Sequence, residues 1–217
     1  NFSVTSDDLL KGKVVADAGV KVKGVKVTKG DVELSNDRTN ITIKGVLNDL
    51  VERKAFIDVG MELRGIKAKK GEIDFSEDQL DSTVSVYGDF KKGDISVKAF
   101  EVAVPGLLKV GVDGDVKEWG RDLSINAKVE GIDHKRLLEK LPATIRQKLP
   151  KLEVEGKSSI TAAVTGGNPL NITGAFKTKG LGVSLSEKGI YVRNSEGSID
   201  FDLSQEVQWI SGRMKVG

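Results

Sequence analysis

Few residues in this chain are equipped for chemistry. The only imidazole is His134, in the polar run Asp133-His134-Lys135-Arg136, and there is no cysteine. A nucleophile activated by a base needs an imidazole, a thiol or a lysine poised beside its partner, and His134 reads instead as a solvated residue in the first turn of a helix. Zinc sites need three or four nitrogen or sulfur ligands, which one histidine cannot supply. Calcium would take oxygen ligands, and Asp113-Gly114-Asp115 has suitable spacing, but Asp-Gly is equally a hairpin turn and is read as one. Gly156-Lys157-Ser158 matches the end of a phosphate-binding loop whose first glycine would fall at 151, where the chain has Lys151. The sequons at Asn40 and Asn171 sit in or beside extended runs. The 32 acidic residues are scattered, so no pair stands out for acid–base work. The expectation is a protein that is not an enzyme, with no cofactor and no metal.

Charge and length narrow the classes further. The 34 Lys+Arg offset 32 Asp+Glu and the two signs are interspersed, whereas nucleic-acid binders cluster positive charge; no nucleic-acid partner is expected. No apolar run approaches the ~18 residues of a transmembrane helix, and no signal peptide is visible. The chain starts at Asn1 and stops just after Trp209-Ile210-Ser211-Gly212-Arg213-Met214-Lys215. It reads as a single elongated segment, 1–217, excised from a longer protein.

The elements that must position any site are mostly strands. Apolar residues alternate with polar ones at Ile57-Val59-Met61-Leu63, Val84-Val86, Ile95-Val97, Leu108-Val110-Val112, Leu123-Ile125-Ala127-Val129, Ile160-Ala162-Val164, Leu181-Val183-Leu185 and Ile199-Phe201-Leu203. Period two means a strand with one buried face, and the runs add up to about fifteen strands. Turn signals punctuate them at Lys92-Gly93, Asp113-Gly114, Gly166-Gly167-Asn168-Pro169 and Lys188-Gly189. One segment, about 133–149, has helical spacing at Leu137, Leu138, Leu141, Ile145 and Leu149. Asp133 is its N-cap, Pro150 lies beyond its end, and Pro142 divides or kinks it. Ser6 to Val14 is a candidate for one more helical turn.

The chain also repeats itself. Residues 22–38 align with 63–79 at an offset of 41, with six identities: Gly24/Gly65, Lys26/Lys67, Lys29/Lys70, Gly30/Gly71, Ser35/Ser76 and Asp37/Asp78. A shorter echo pairs Gly197–Phe201 with Gly71–Phe75. A period near 40 residues implies an elongated sheet built by adding similar hairpins, with Gly30 and Gly71 in equivalent left-handed turns. One modest helix cannot cover so many apolar faces. They must meet in a sandwich, close as a barrel, or curve into a trough filled by something else. An outer-membrane barrel needs strands of about 9–11 residues, longer than these runs.

The stretch from Asn126 to Leu185 resembles the AsmA-like and TamB-like proteins of Gram-negative envelopes. The likeness lies in a strand ending in glycine, a short helix with Leu-Pro steps (Leu141-Pro142, Leu149-Pro150), the strand "EGKSSITAAVTGG", the turn Gly167-Asn168-Pro169, and the return strand "NPLNITGAFKTKGLGVSL". The resemblance implies an all-β, twisted antiparallel sheet curved into an apolar groove, wet outside. It also implies a periplasmic place in the cell envelope, an inner-membrane anchor in the full-length protein, and phospholipid acyl chains as partners between inner and outer membrane. The residues expected to line that groove are Ile57, Val59, Met61, Val84, Val86, Leu108, Val110, Ile160 and Val164. The alternative is a structural or adhesive sandwich module with no ligand.

Overall fold

Alternating β-branched residues fit a pleated, half-buried surface, and they do so here in twelve long strands. A computed structural model describes residues 2–8, 12–49, 53–71, 73–147, 149, 151–167, 169–185, 189–203 and 208–215. The strands are β1 (Phe2–Asp8), β2 (Lys13–Lys29), β3 (Val32–Asp49), β4 (Lys54–Lys70), β5 (Ile73–Asp89), β6 (Asp94–Val104), β7 (Leu108–Lys117), β8 (Asp122–Asp133), β9 (Leu152–Gly166), β10 (Leu170–Leu185), β11 (Ile190–Leu203) and β12 (Gln208–Lys215). They form one antiparallel sheet in chain order, β1 and β12 being its two edges. It is not closed into a barrel, and 82% of the described residues are strand.

The strands are fewer and longer than the sequence suggested, at 7 to 18 residues. The reason is a change of parity within them. In β2 the apolar positions move from Val20 and Val22 to Val25 and Val27, and in β4 from Met61 and Leu63 to Ile66 and Ala68. The residue at each switch is a glycine with positive φ, Gly24 at 64° and Gly65 at 60°. A left-handed residue does not carry the side-to-side alternation of an extended one, so one strand reads as two short runs. In β6 the extra residue Lys98 does the same as a bulge, shifting the register from Ser85↔Ala99 to Val86↔Val97. Barrel-length strands are therefore present, and it is the open edges that separate this sheet from a barrel.

The 41-residue echo is now a structural unit of two strands. The registers of β2–β3, β3–β4 and β4–β5 run past Gly24, Asp37, Gly65 and Asp78 without a shift, so these four residues form one row across the sheet. The Asp37 carboxylate lies where a Cβ on Gly65 would be. Gly30 and Gly71 are matching turns, with φ of 61° and 57°. The Gly197–Phe201 echo is a coincidence of letters, because Gly197 lies inside β11 while Gly71 lies in a turn.

Asp113-Gly114 is not a turn either. Both lie inside β7, and a Cβ on Gly114 would collide with the backbone of Ser124 and Ile125; the glycine permits close strand approach. Ser6 to Asp8 is strand, and the rest of that proposed helical turn includes residues 9–11, outside the described set. Asn168, Lys188 and Pro150 are also outside it.

The helical segment forms as two pieces, α1 (His134–Lys140) and α2 (Ala143–Arg146), split at Pro142. Asp133 caps α1, its carboxylate accepting from the Arg136 N–H at 3.0 Å. The hairpin β6–β7 is short, so the first part of β5 projects beyond it, and α1 fills this notch. Arg136 and Lys140 each reach Glu77 of β5 at 3.0 Å, and Glu77 is only 3% exposed. Lys140 also donates to the Ser76 carbonyl at 2.7 Å, and Arg136 to that of Pro105. Leu107, in the β6–β7 turn, is the sole buried large hydrophobic among the described residues, at 6% exposure.

Candidate functional site

Directly opposed residues of an antiparallel ladder share a face, so the registers can be followed across the whole sheet. Starting at Ala18 in β2, the row runs Ile43, Val59, Val84, Phe100, Val112, Ala127, Ala162, Gly174, Phe201 and Ile210. No member is polar. A parallel row contains Val20, Ile41, Met61, Val110, Val129, Ile160 and Phe176, interrupted by Ser82. A third holds Ile57, Val86, Val97, Ile125, Val164 and Ile172. At a strand spacing near 4.8 Å, this apolar band is about 50 Å long.

All nine residues picked from the sequence stand on this face. Ile57, Val59 and Met61 come from β4, Val84 and Val86 from β5, Leu108 and Val110 from β7, and Ile160 and Val164 from β9. None is buried: Ile57 is 47% exposed and Ile160 38%. Phe100 and Phe176 belong to the same rows, but the Lys98 bulge and the left-handed Gly180 put them out of phase with the neighbouring runs Ile95-Val97 and Leu181-Val183-Leu185, whereas Phe201 lies within the alternating run Ile199-Phe201-Leu203. Phe201 owes its position to Gly174, since its ring occupies the space a Cβ there would take.

Among the described residues nothing covers the band. The twelve strands make one sheet, so no second sheet packs on the first, and α1 reaches only one end. The accessible surface is 14469 Å², against roughly 9,700 Å² for a compact monomer of this mass. The apolar face is an open surface rather than a pocket. Beside α1, between Leu138 and the ends of β9–β11 at Leu152, Val154 and Val183, it borders a concavity of about 860 Å³. Another, of about 500 Å³, lies over the wet face at the small residues Ala99, Gly111 and Ala163.

The opposite face is polar, apart from a row at one end formed by Val15, Val46, Phe56 and Tyr87. Its side chains pair across strands: Ser85 donates to Asp58, Ser96 to Asp115, and Asn126 to Asp113 at 3.1 Å. Glu62 accepts from Asn40 at 2.9 Å and from Arg64 at 2.6 Å. Those two hydrogen bonds, with the Arg64 and Arg38 charges, hold its carboxyl below the usual carboxylate range. His134 is half-buried rather than solvated, its Nε2 2.7 Å from the Ser158 hydroxyl, which anchors α1 on the apolar side next to Ile160. Asp113 and Asp115 serve as hydrogen-bond acceptors, and no group of three or more His, Asp or Glu among the described residues is placed to hold a metal. No described helix is long and apolar enough to cross a membrane. Compared with known proteins, the chain matches no family model, no curated protein and no solved structure.

Proposed function

We propose that the apolar face binds phospholipid acyl chains, and that the chain is a lipid-binding segment of a periplasmic, AsmA-like envelope protein that carries phospholipid between inner and outer membranes. The observation that carries this reading is the row from Ala18 to Ile210, apolar at every strand it crosses and uncovered. Each methylene moved from water onto such a surface gains about 0.8 kcal/mol. A surface without polar side chains holds an acyl chain equally well at successive strands, which suits sliding more than fixed recognition. The polar face keeps the particle wetted.

A dry structural module is the second reading. Because the chain supplies one sheet, a sandwich would require a second copy laid face to face. Native mass spectrometry of the purified chain separates the two. A monomer carrying co-purified phospholipid supports the lipid reading, and a lipid-free dimer overturns it.

A further inference from the structure

Like charges meet across strands on the wet face, and two such places differ in how they are offset. Arg38 and Arg64 are direct cross-strand partners, an opposition that costs stability. Glu62 relieves it, 3.4 Å from the first and 2.6 Å from the second. Lys157 and Lys179 are opposed in the same way across β9 and β10, and no carboxylate bridges the two among the described residues. Lys177, Arg213 and Lys215 stand beside them, and none of these five exposed cations makes an ion pair among the described residues. Of the three nearby acids, Glu130 is held by Lys128 at 2.7 Å and Asp133, opposite Lys157, caps α1, which leaves Glu196, opposite Lys215, against five positive charges. All five cations line a concavity of about 860 Å³.

We infer that this corner binds a phosphate-bearing anion. Lysine and arginine donors, which suit phosphate oxygens, stand together on one shallow surface, and an added anion offsets the Lys157–Lys179 repulsion. The anion is the headgroup of a lipid or a soluble phosphate. The site does not depend on acyl-chain binding, because its lysines and arginine lie on rows other than the apolar ones.

The test uses calorimetric titration at low salt with dihexanoyl phosphatidylglycerol, dihexanoyl phosphatidylcholine and glycerol phosphate. The Lys157→Gln/Lys179→Gln variant should bind the phosphatidylglycerol about thirtyfold more weakly than the unmodified chain, with the difference shrinking as salt rises. Phosphatidylcholine should show no such difference. Glycerol phosphate binding as tightly as phosphatidylglycerol assigns the site to soluble phosphate, and weaker binding assigns it to a lipid headgroup. Equal affinities of variant and unmodified chain for both anions overturn the site. Without ligand, the variant should melt at the same temperature or higher, because a repulsion has been removed. A lower melting temperature would make these lysines supports of the fold and also overturn it.

Discussion

Strands β2–β5 and strands β9–β11 both carry left-handed residues near the helix end of the sheet, by different means. In the first group the row Gly24, Asp37, Gly65, Asp78 repeats with the 41-residue period and leaves the register intact. In the second the left-handed residues are Gly156, Gly180 and Asn194, with φ of 96°, 63° and 48°, and the registers shift around them. The first region satisfies its charges internally through Arg38, Glu62, Arg64 and Gln79. The second leaves Lys157 opposite Lys179 and the hydroxyls of Thr178 and Ser195 without partners. Regular repetition keeps the first region paired apart from the Asn40 amide oxygen, and the departures from it leave more polar groups unmet.

The largest effect expected from probing this difference is at the glycines. A Cβ on Gly156 would strike the backbone of Gly180 and Leu181, which cannot move aside, whereas one on Gly65 would strike only the Asp37 side chain, and one on Gly24 would meet nothing. Positive φ alone costs about 1 kcal/mol, and overpacking adds roughly 1–3 kcal/mol. Urea denaturation should therefore rank Gly156→Ala near 3 kcal/mol, Gly65→Ala near 2 and Gly24→Ala near 1. Equal losses at Gly156 and Gly24 would erase the distinction between the two regions.

A smaller effect is expected where the regions are tied together. Glu77→Ala removes the acceptor that β5 offers to Arg136 and Lys140 of α1. It should cost about 2 kcal/mol, since both cations are partly exposed and can return to water. Hydrogen exchange should show α1 loosening before the strands; uniform loosening would mean that the helix is not held chiefly by this contact.

The smallest effect concerns pH. Glu62 has its carboxyl pKa depressed by Asn40 and Arg64, so its contribution is present above the unfolded value near 4.3 and is lost as pH falls through the lower folded value. Glu62→Gln should flatten the acid limb of the stability profile in that window and leave neutral pH almost unchanged. An acid limb identical to that of the parent chain would show that the network around Glu62 contributes nothing measurable.

Much of this architecture is legible in the residues. Period two gives the strands, Asp133 and Pro142 mark the start and break of the helix, and the Gly24/Gly65 identity marks the repeat. The nine chosen apolar residues share one face because each was taken in phase with its own run. The strand count was not legible, since a left-handed glycine or the Lys98 bulge changes parity without ending the strand. Asp113-Gly114 misled because close strand approach and a tight turn both call for glycine. The pairing of Lys157 with Lys179 and of Glu77 with α1 depends on register and on the shortness of β6–β7, which no local pattern encodes.

The central claim is that the apolar face is open to acyl chains rather than packed against protein. Val86→Glu and Val110→Glu test it most directly, with melting temperature and bound phospholipid measured on the same samples. A carboxylate buried in a packed core costs several kcal/mol, whereas on an open face it reaches water. We expect both variants to melt within a few degrees of the parent chain and to lose most of their bound phospholipid. Unfolding of both variants, together with a parent chain that carries no lipid, would contradict the account.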